Sequence, residues 1–360
     1  MERELKIALI GDTGVGKTTF LASFFGNHQQ GSFIERYGYS VAARDASVSN
    51  DLLTVFHGLE NGVFPPGTAK RADYSFDVTY RGQAGAEKTL GREAIVRVTF
   101  LDYPGGWFSQ STETQTAAAR EQTLRWLSEA HLGLVLLDGS RASKADGQAY
   151  VRKTLSQLNA ELSKVTTTAQ DGIPRQWIVA VTKADCLGEE ITAAQIGERV
   201  RGWASEELRA FDLVFAGKRQ IGTHFLLLSS AAVQNDARPD PRKWIGLSVI
   251  TPFALKAVVA DVFEALKKMP VTERTFIAKL ANLLGLLRTR IVRKLPKKYR
   301  TIGELMLLSL EKLAPALMNE YDKRQLAKVA SEVRLGWEQL MAQLETAEGK
   351  RAYANLGSNR

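Results

Sequence analysis

The chain has 360 residues, 44% of them hydrophobic and 24% charged, which is typical of a globular protein with roughly one to three domains. Its single cysteine, Cys186, excludes an intramolecular disulfide and favours a reducing, cytoplasmic location. No run of about 18 apolar residues predicts a membrane span, and the histidines lack the spacing of metal ligands. The composition therefore excludes disulfide-rich secreted proteins and membrane-spanning proteins.

The net charge of +9 is concentrated in one stretch near the C-terminal end. Residues 274–303 contain nine basic side chains and no acidic one, so the rest of the chain is close to neutral. Residues 275–300 also keep apolar residues on one helical face. Two interpretations remain: the basic face is solvated in a helical bundle, or Arg288–Arg300 binds an acidic membrane surface. No specific nucleic-acid partner is expected.

A glycine-rich loop near the N-terminus carries the clearest chemical signal. Leu5–Ile10 is an apolar run that predicts a buried strand, and a helical apolar sequence follows from Thr18 to Phe25. Between them, Gly11–Thr18 reads G-D-T-G-V-G-K-T and fits the phosphate-binding pattern G-x-x-x-x-G-K-[ST]. In that order of strand, loop and helix, backbone amides converge on phosphate at the helix N-terminus. Gly11–Thr18 is called the phosphate loop below.

The side chains of the phosphate loop have separate expected roles. Lys17 supplies a mobile positive charge to the β- and γ-phosphates, and we expect it to act in catalysis. The Thr18 hydroxyl is placed to bind Mg²⁺, which prefers oxygen ligands. The loop alone does not distinguish ATP from GTP. The full set of residues expected on the nucleotide here is Asp12, Thr13, Gly14, Val15, Gly16, Lys17, Thr18 and Thr19.

Beyond the phosphate loop, strands alternate with helices up to about residue 269, and only helices follow. The strands at 72–80 and 94–101 are expected to be antiparallel neighbours. The segment 64–68, read F-P-P-G-T, breaks regular structure sharply. The other predicted strands are 37–43, 132–138, 177–181 and 225–228, and the predicted helices are 47–59, 110–130, about 145–166, 193–211 and 251–269.

This alternation predicts an α/β fold with a mostly parallel sheet and helices on both faces. Residues 1–269 form this domain, with 27–67 as an extended insertion. An all-helical C-terminal domain over 270–345 and a flexible tail over 346–360 follow. Ligands of such sheets bind at the carboxyl ends of the strands, where the phosphate loop, Asp102, Thr182–Asp185 and Ser229–Ala231 would meet.

The order of the motifs along residues 1–269 resembles that of the Ras-like regulatory GTPases of the translation-factor-related P-loop class. The segment Asp102–Gly105, read D-Y-P-G, is similar to the family's D-x-x-G element. Thr182–Asp185, read T-K-A-D, is similar to the guanine-reading [NT]-K-x-D element, and Ser230-Ala231 to the weaker S-A element. The long segment 27–67 resembles bacterial types with an enlarged first switch region.

The resemblance implies roles for these residues. Asp102 would hold Mg²⁺ through water, and the Gly105 amide would contact the γ-phosphate during catalysis. Asp185 would accept hydrogen bonds from the N1–H and the exocyclic amine of guanine, so the ligand would be GTP or GDP with Mg²⁺. Lys183 would lie along the purine, after Thr182 in the same motif. The Ala231 amide, next to Ser230, would meet the guanine carbonyl.

The family also has a switch threonine that binds Mg²⁺ in the triphosphate state and takes part in catalysis. Thr68, four residues ahead of the strand at 72, is the expected one, with Thr54 and Thr79 as alternatives. The residue after D-Y-P-G is Gly106, where Ras-like members carry the glutamine that orients the attacking water. Thr13 also replaces a small glycine of the family. We therefore expect slow hydrolysis by the isolated chain.

These features support a molecular switch that hydrolyses GTP to GDP and is read by a protein effector or activator. The alternative is a mechanical GTPase that binds a membrane peripherally or forms a nucleotide-dependent dimer through its basic C-terminal helices. An ATP-using kinase is a third hypothesis, against which Lys183 and Asp185 argue.

Overall fold

The structure is a computed structural model that describes residues 4–37, 39–66, 72–80, 94–102, 127, 130–166, 176–214, 221–233, 238–248, 250 and 346–357. The chain divides into two units, Met1–Leu255 with Leu335–Arg360, and Lys256–Arg334. Everything described below belongs to the first unit. The predicted helical domain at 270–345, the basic stretch Arg288–Arg300, Thr68 and Gly105 lie outside the described residues.

An eight-stranded sheet lies at the centre of the described part of the chain, in the order β10-β7-β6-β5-β1-β4-β3-β2. Strands β8 and β9 form a separate small pair. The strands are β1 Glu4–Ile10, β2 Tyr39–Ala43, β3 Ala72–Tyr80, β4 Ala94–Asp102, β5 Leu132–Asp138, β6 Gln176–Thr182, β7 His224–Leu227, β8 Ala232–Val233, β9 Pro239–Asp240 and β10 Tyr353–Asn355.

The strand directions confirm the predicted mostly parallel α/β fold. Strands β7, β6, β5, β1 and β4 are mutually parallel, whereas β3 is antiparallel to β4 as predicted. Strand β2 is antiparallel to β3 at the far edge. The register pairs Leu9 with Asp102 and Asp138 with Thr182, so these residues lie together at the carboxyl edge, where α/β proteins bind ligands.

Helices cover the sheet and connect its strands. They are α1 Lys17–Asn27, α2 Gly31–Tyr37, α3 Ala46–Glu60, α4 Gly139–Ala142, α5 Gly147–Thr166, α6 Ala193–Trp203, α7 Ser205–Val214 and α8 Ala347–Ala352, with a 3₁₀ turn at Ala184–Leu187. The single helix predicted at 193–211 is two helices, because Ala204 leaves the helical region with φ −126° and ψ 34°. Among the described helices, none has the length and apolarity needed to cross a membrane.

The end of the chain corrects the expectation of a flexible tail at 346–360. Thr346 caps α8 by accepting a hydrogen bond from the Gly349 N–H at 2.9 Å. Strand β10 then pairs antiparallel with β7 and closes that edge of the sheet, with Ala352, Tyr353 and Ala354 buried. A three-residue strand has little propensity of its own, so pairing with β7 decides its structure.

Aromatic rings hold α1 against the sheet and thereby orient the phosphate loop at its start. Phe24 of α1 meets Phe100 of β4 and Phe76 of β3 edge to face, at centroid distances of 5.3 and 5.8 Å. Phe20 meets Phe100 in the same way at 5.6 Å. Such pairs contribute beyond their buried area, so the N-terminus of α1 has a well-determined position relative to β1 and β4.

His28, just beyond α1, lies buried among aromatic rings. Its ring centroid is 4.2 Å from Phe33, 4.5 Å from Phe24 and 4.8 Å from Tyr39. Burial lowers the pKa of His28 to about 3, against the opposing hydrogen bond to the Phe24 carbonyl. The folded protein therefore keeps this ring neutral at pH values where the unfolded chain, with an ordinary pKa near 6.5, takes up a proton.

Stability is consequently expected to fall as the pH drops below about 6.5, because only the unfolded state gains the proton. The contribution of His28 to this loss between pH 7 and pH 5 is about 2 kcal/mol. Urea denaturation at both pH values should show that His28→Gln removes that part of the loss. An unchanged dependence in His28→Gln would refute this origin.

Candidate nucleotide-binding site

The phosphate loop connects β1 to α1 and depends on glycine at three positions. Gly14 and Gly16 have φ of 79° and 98°, in the left-handed region that side chains rarely adopt. Gly16 is also the N-cap residue of α1 and supplies no side-chain cap, which leaves the first amides of the helix available to a ligand. A Cβ at Gly11 would lie only 2.9 Å from the Leu136 carbonyl oxygen, so glycine lets the loop pass close to β5.

Lys17 lies folded back over the phosphate loop with only 6% of its surface exposed. Its Nζ donates to the carbonyl oxygens of Gly11 at 2.8 Å and Asp12 at 3.2 Å. Burial lowers the pKa of Lys17, while the carboxylates of Asp102 and Asp12 act in the opposite direction. The loop thus holds a desolvated amine beside the helix N-terminus, where phosphate oxygens can replace its carbonyl partners.

The two described candidates for Mg²⁺ binding are Thr18 and Asp102. Thr18 lies in the first turn of α1 and lines the cavity described below. Asp102 ends β4 with none of its surface exposed, and its charge acts on Lys17. Hydroxyl and carboxylate oxygens are the hard donors that Mg²⁺ prefers, so the residues present fit the ion.

The Thr182–Asp185 segment leaves β6 in a sharply turned conformation. Lys183 has φ 52° and ψ 40°, the one non-glycine residue with positive φ in the described ranges. The Thr182 hydroxyl donates to the Leu137 carbonyl at 3.1 Å, and the Ala184 N–H donates to the Leu228 carbonyl at 3.2 Å. These bonds connect the segment to the ends of both neighbouring strands and determine where Asp185 lies.

Two short hydrogen bonds orient Asp185, and the Cys186 thiol lies 4.0 Å from its Oδ2. The Ser229 hydroxyl donates to its Oδ1 at 2.6 Å, and the Val233 N–H donates to its Oδ2 at 3.1 Å. Ser230 and Ala231, the residues expected to form the S-A element, line the cavity, and the residue before them, the buried Ser229, is the one that contacts Asp185. The sequence signal for Ser229 was its position directly after the apolar run at 225–228. A hydroxyl at the carboxyl end of a strand can reach the loop that follows the neighbouring strand.

Lys183 has a partner that sequence reasoning missed. Its Nζ lies 2.7 Å from Oδ2 of Asp138, the last residue of β5. The Ser140 hydroxyl donates to the other carboxylate oxygen at 2.6 Å. Burial acts to raise the pKa of Asp138, but the bonds from Lys183 and Ser140 hold that pKa below its ordinary value. Asp138 thus stays ionised and holds the Lys183 ammonium toward β5.

Asp12, also expected at the nucleotide, uses its side chain differently. Its carboxylate pairs with Nη1 of Arg141 at 3.4 Å, and the Arg141 guanidinium lies over the Tyr150 ring at 4.0 Å from its centroid. Asp12 is not among the residues that line the cavity, and its contribution there is the carbonyl that accepts from Lys17. The carboxylate connects the phosphate loop to α4 instead.

One cavity of about 530 Å³ lies at the carboxyl edge of the sheet. Residues of the phosphate loop, of the Thr182–Asp185 segment and of Ser229–Ala231 line it. Its volume is in the range of small-molecule sites. The cavity also borders the apolar stretch Phe64-Pro65-Pro66, whose Phe64 is 56% exposed. The lining residues are Thr13, Gly14, Val15, Gly16, Lys17, Thr18, Thr19, Phe64, Pro65, Pro66, Ser140, Thr182, Lys183, Asp185, Cys186, Ser229, Ser230, Ala231 and Val233.

The sequence matches a family model described as Double-GTPase 2 over residues 6–223, which is more than half of the chain. That range contains the phosphate loop, Asp102 and Thr182–Asp185, and it ends just before β7. No protein of the curated set matches the chain in sequence.

Several solved structures are similar to this chain at low sequence identity. A bacterial selenocysteine-specific elongation factor is 13% identical, with a TM-score of 0.29, over 76% of this chain and 30% of the other. The signal recognition particle receptor SRb in the GTP-bound SRb/SRX complex from Chaetomium thermophilum is 18% identical, with a TM-score of 0.33, over 59% and 82%. Era from Aquifex aeolicus, bound to GDP and AlF4⁻, is 15% identical, with a TM-score of 0.28, over 80% and 68%. The chain thus spans under a third of the elongation factor.

Proposed function

The chain belongs to the Double-GTPase 2 family and is a GTP hydrolase, and from this premise we propose that it acts as a Mg²⁺-dependent molecular switch. The observation that supports the proposal is the shared cavity, which is lined both by the phosphate loop and by Asp185. A nucleoside triphosphate bound there would have its phosphates at the N-terminus of α1 and its base at the ends of β6 and β7.

At the phosphate end, we assign binding to the loop amides and to Lys17. The helix N-terminus and the ammonium both favour an anion, and neither needs to reorganise far, because the glycines already hold the loop in its turned form. Thr18 and Asp102 would hold Mg²⁺, together with Thr68 in the triphosphate state. When bound, the ion would neutralise charge on the β- and γ-phosphate oxygens.

At the base end, Asp185 can read guanine while keeping its protein contacts. Each carboxylate oxygen can accept more than one hydrogen bond, and in this structure Ser229 and Val233 each supply one to a different oxygen. Both oxygens therefore keep capacity for the N1–H and the exocyclic amine of guanine. Adenine presents an unprotonated N1 and no amine at the corresponding position, so this carboxylate disfavours it.

Within the proposed first switch region, 27–67, most described residues up to 60 belong to α2, β2 and α3. Helix α3 packs against α1, and Glu60 at its end pairs with Arg242 at 2.7 Å. We therefore propose that the nucleotide-responsive portion begins after Gly62, where Phe64-Pro65-Pro66 borders the cavity. The first switch region would then be enlarged, as in some bacterial GTPases. A protein effector or activator would bind there and at the D-Y-P-G loop.

The second candidate is a membrane-associated or oligomerising GTPase, and the charge of residues 274–303 favours it. Arg288–Arg300 would contact anionic lipid, or the C-terminal segment would support a nucleotide-dependent dimer. Co-sedimentation with anionic vesicles in GTP and GDP separates the two candidates, since a cytoplasmic switch would stay in the supernatant in both.

Single-turnover hydrolysis of GTP and of ATP by dilute purified protein tests the proposed function. We expect GTP to be hydrolysed in preference to ATP but slowly, because Gly106 offers no side chain to orient the attacking water. A residue supplied by a partner or a second copy would raise the rate by about 10³–10⁵. A concentration series provides the control, since a second copy acts only at high concentration. Equal hydrolysis of ATP and GTP would contradict the guanine assignment. Fast turnover at every protein concentration would contradict the interpretation of Gly106.

A further inference from the structure

Helix α8, near the end of the chain, contacts the loop that carries Asp185. Arg351 of α8 donates from Nη2 to the Gly188 carbonyl at 3.0 Å and from Nε to the Ile191 carbonyl at 3.3 Å. Gly188 ends the 3₁₀ turn that contains Asp185 and has φ 93°. The start of this loop is bonded to β7 through Ala184, so Arg351 supplies the contact at its other end.

A second contact links α8 to Ser229 indirectly, through Tyr37 and residues 244–245. The Oε2 of Glu348 accepts from the Tyr37 hydroxyl at 3.3 Å, and the Tyr37 ring lies against the Trp244 ring with a centroid distance of 5.5 Å. Gly246 has φ 77°, and a Cβ there would lie 2.3 Å from the Leu227 carbonyl, so the loop packs tightly on the end of β7. The preceding residue, Ile245, exchanges two backbone hydrogen bonds with Ser229, at 2.9 and 3.1 Å.

The two contacts converge on one carboxylate. Arg351 acts on the segment that carries Asp185. Glu348 acts through Tyr37 and residues 244–245 on Ser229, which donates to Asp185 at 2.6 Å. Strand β10 holds α8 in place by pairing with β7, and Arg201, which is 9% exposed, donates from Nη1 to the Leu356 carbonyl at 3.5 Å. A six-residue helix is not stable alone, so this anchoring is what allows it to position other groups.

We propose that Arg351 and Glu348 are positioning residues for base recognition, setting the orientation of Asp185 without touching the nucleotide. The proposal rests on the proposed function, in which Asp185 reads guanine. Loss of the Arg351 contacts lets the Gly188 end of the loop move, which disturbs the pair of hydrogen bonds to the base. The phosphate end is unaffected, because neither residue contacts the phosphate loop in the described structure.

The test compares binding of GDP and inosine diphosphate, which lacks the exocyclic amine, by full-length protein. Arg351→Ala should weaken GDP binding about five- to tenfold and lower the preference for GDP over inosine diphosphate by a similar factor. Affinity for inorganic triphosphate with Mg²⁺ should stay at the wild-type value. Arg351→Lys should restore part of the preference, since lysine can donate to one of the two carbonyls. Lys350→Ala, which changes an exposed side chain on the same helix, is the matched control.

A merely structural role predicts a different result. If Arg351→Ala lowers the melting temperature but keeps the wild-type ratio of GDP to inosine diphosphate affinity, the proposal is wrong. Should that variant not fold, Glu348→Ala tests the second contact with the same ratio, and an unchanged ratio again overturns the proposal. If the wild type itself binds ADP as tightly as GDP, the proposed function has failed instead.

Discussion

Replacing Lys17 with alanine is expected to abolish binding of GTP and GDP and to leave the sheet folded. The ammonium is the one side-chain cation lining the described cavity at the phosphate end, and it is buried beside the N-terminus of α1. Hydrogen bonds between charged groups in such a setting contribute about 1.5–3 kcal/mol each, so losing two of them costs at least about 100-fold in affinity. Isothermal titration calorimetry measures the loss.

The folded state should tolerate this change. The partners that Lys17 leaves behind are the Gly11 and Asp12 carbonyls, and burial of the charged amine is itself unfavourable, as its lowered pKa indicates. Far-UV circular dichroism and the melting temperature of the nucleotide-free protein check this point. Lys144→Ala, which removes an exposed lysine just after α4, is the matched control and should bind normally. Wild-type affinity in Lys17→Ala would contradict the phosphate assignment.

Replacing Asp185 with asparagine is expected to exchange guanine for xanthine as the preferred base. Two hydrogen bonds to a carboxylate are lost or reversed, which predicts a fall of at least about 100-fold in GDP affinity. Xanthine carries a carbonyl where guanine carries the exocyclic amine, and the new amide can donate to it. Competition of GDP and xanthosine diphosphate against a fluorescent nucleotide measures the exchange.

The surrounding donors determine how the new amide is oriented. Val233 offers only an N–H, so the asparagine oxygen should stay on that side, while the Ser229 hydroxyl can rotate to accept from the amide nitrogen. Glu189→Gln, a charge-removing change at an exposed site four residues away, should leave the preference for guanine intact. If Asp185→Asn still prefers GDP by the wild-type factor, Asp185 does not read the base.

Local sequence determined the fold class and the phosphate end of the site. A phosphate loop needs left-handed glycines and a helix N-terminus within eight consecutive residues, so its turned backbone conformation is specified by neighbours in the chain. The alternation of apolar strands and helices likewise predicted the parallel sheet, since burial on both faces leaves a continuous apolar run in each strand. T-K-A-D was found because its four residues are contiguous.

Only the tertiary structure decided the groups that orient these residues. The contact of Ser229 with Asp185, the pairing of Asp138 with Lys183, and the contacts of Arg351 connect positions 44, 45 and about 160 residues apart. No local pattern predicts such pairs, because each depends on which strands end side by side. The same reason explains the tail: β10 is a strand because β7 has an open edge beside it, which nothing within residues 346–360 reveals.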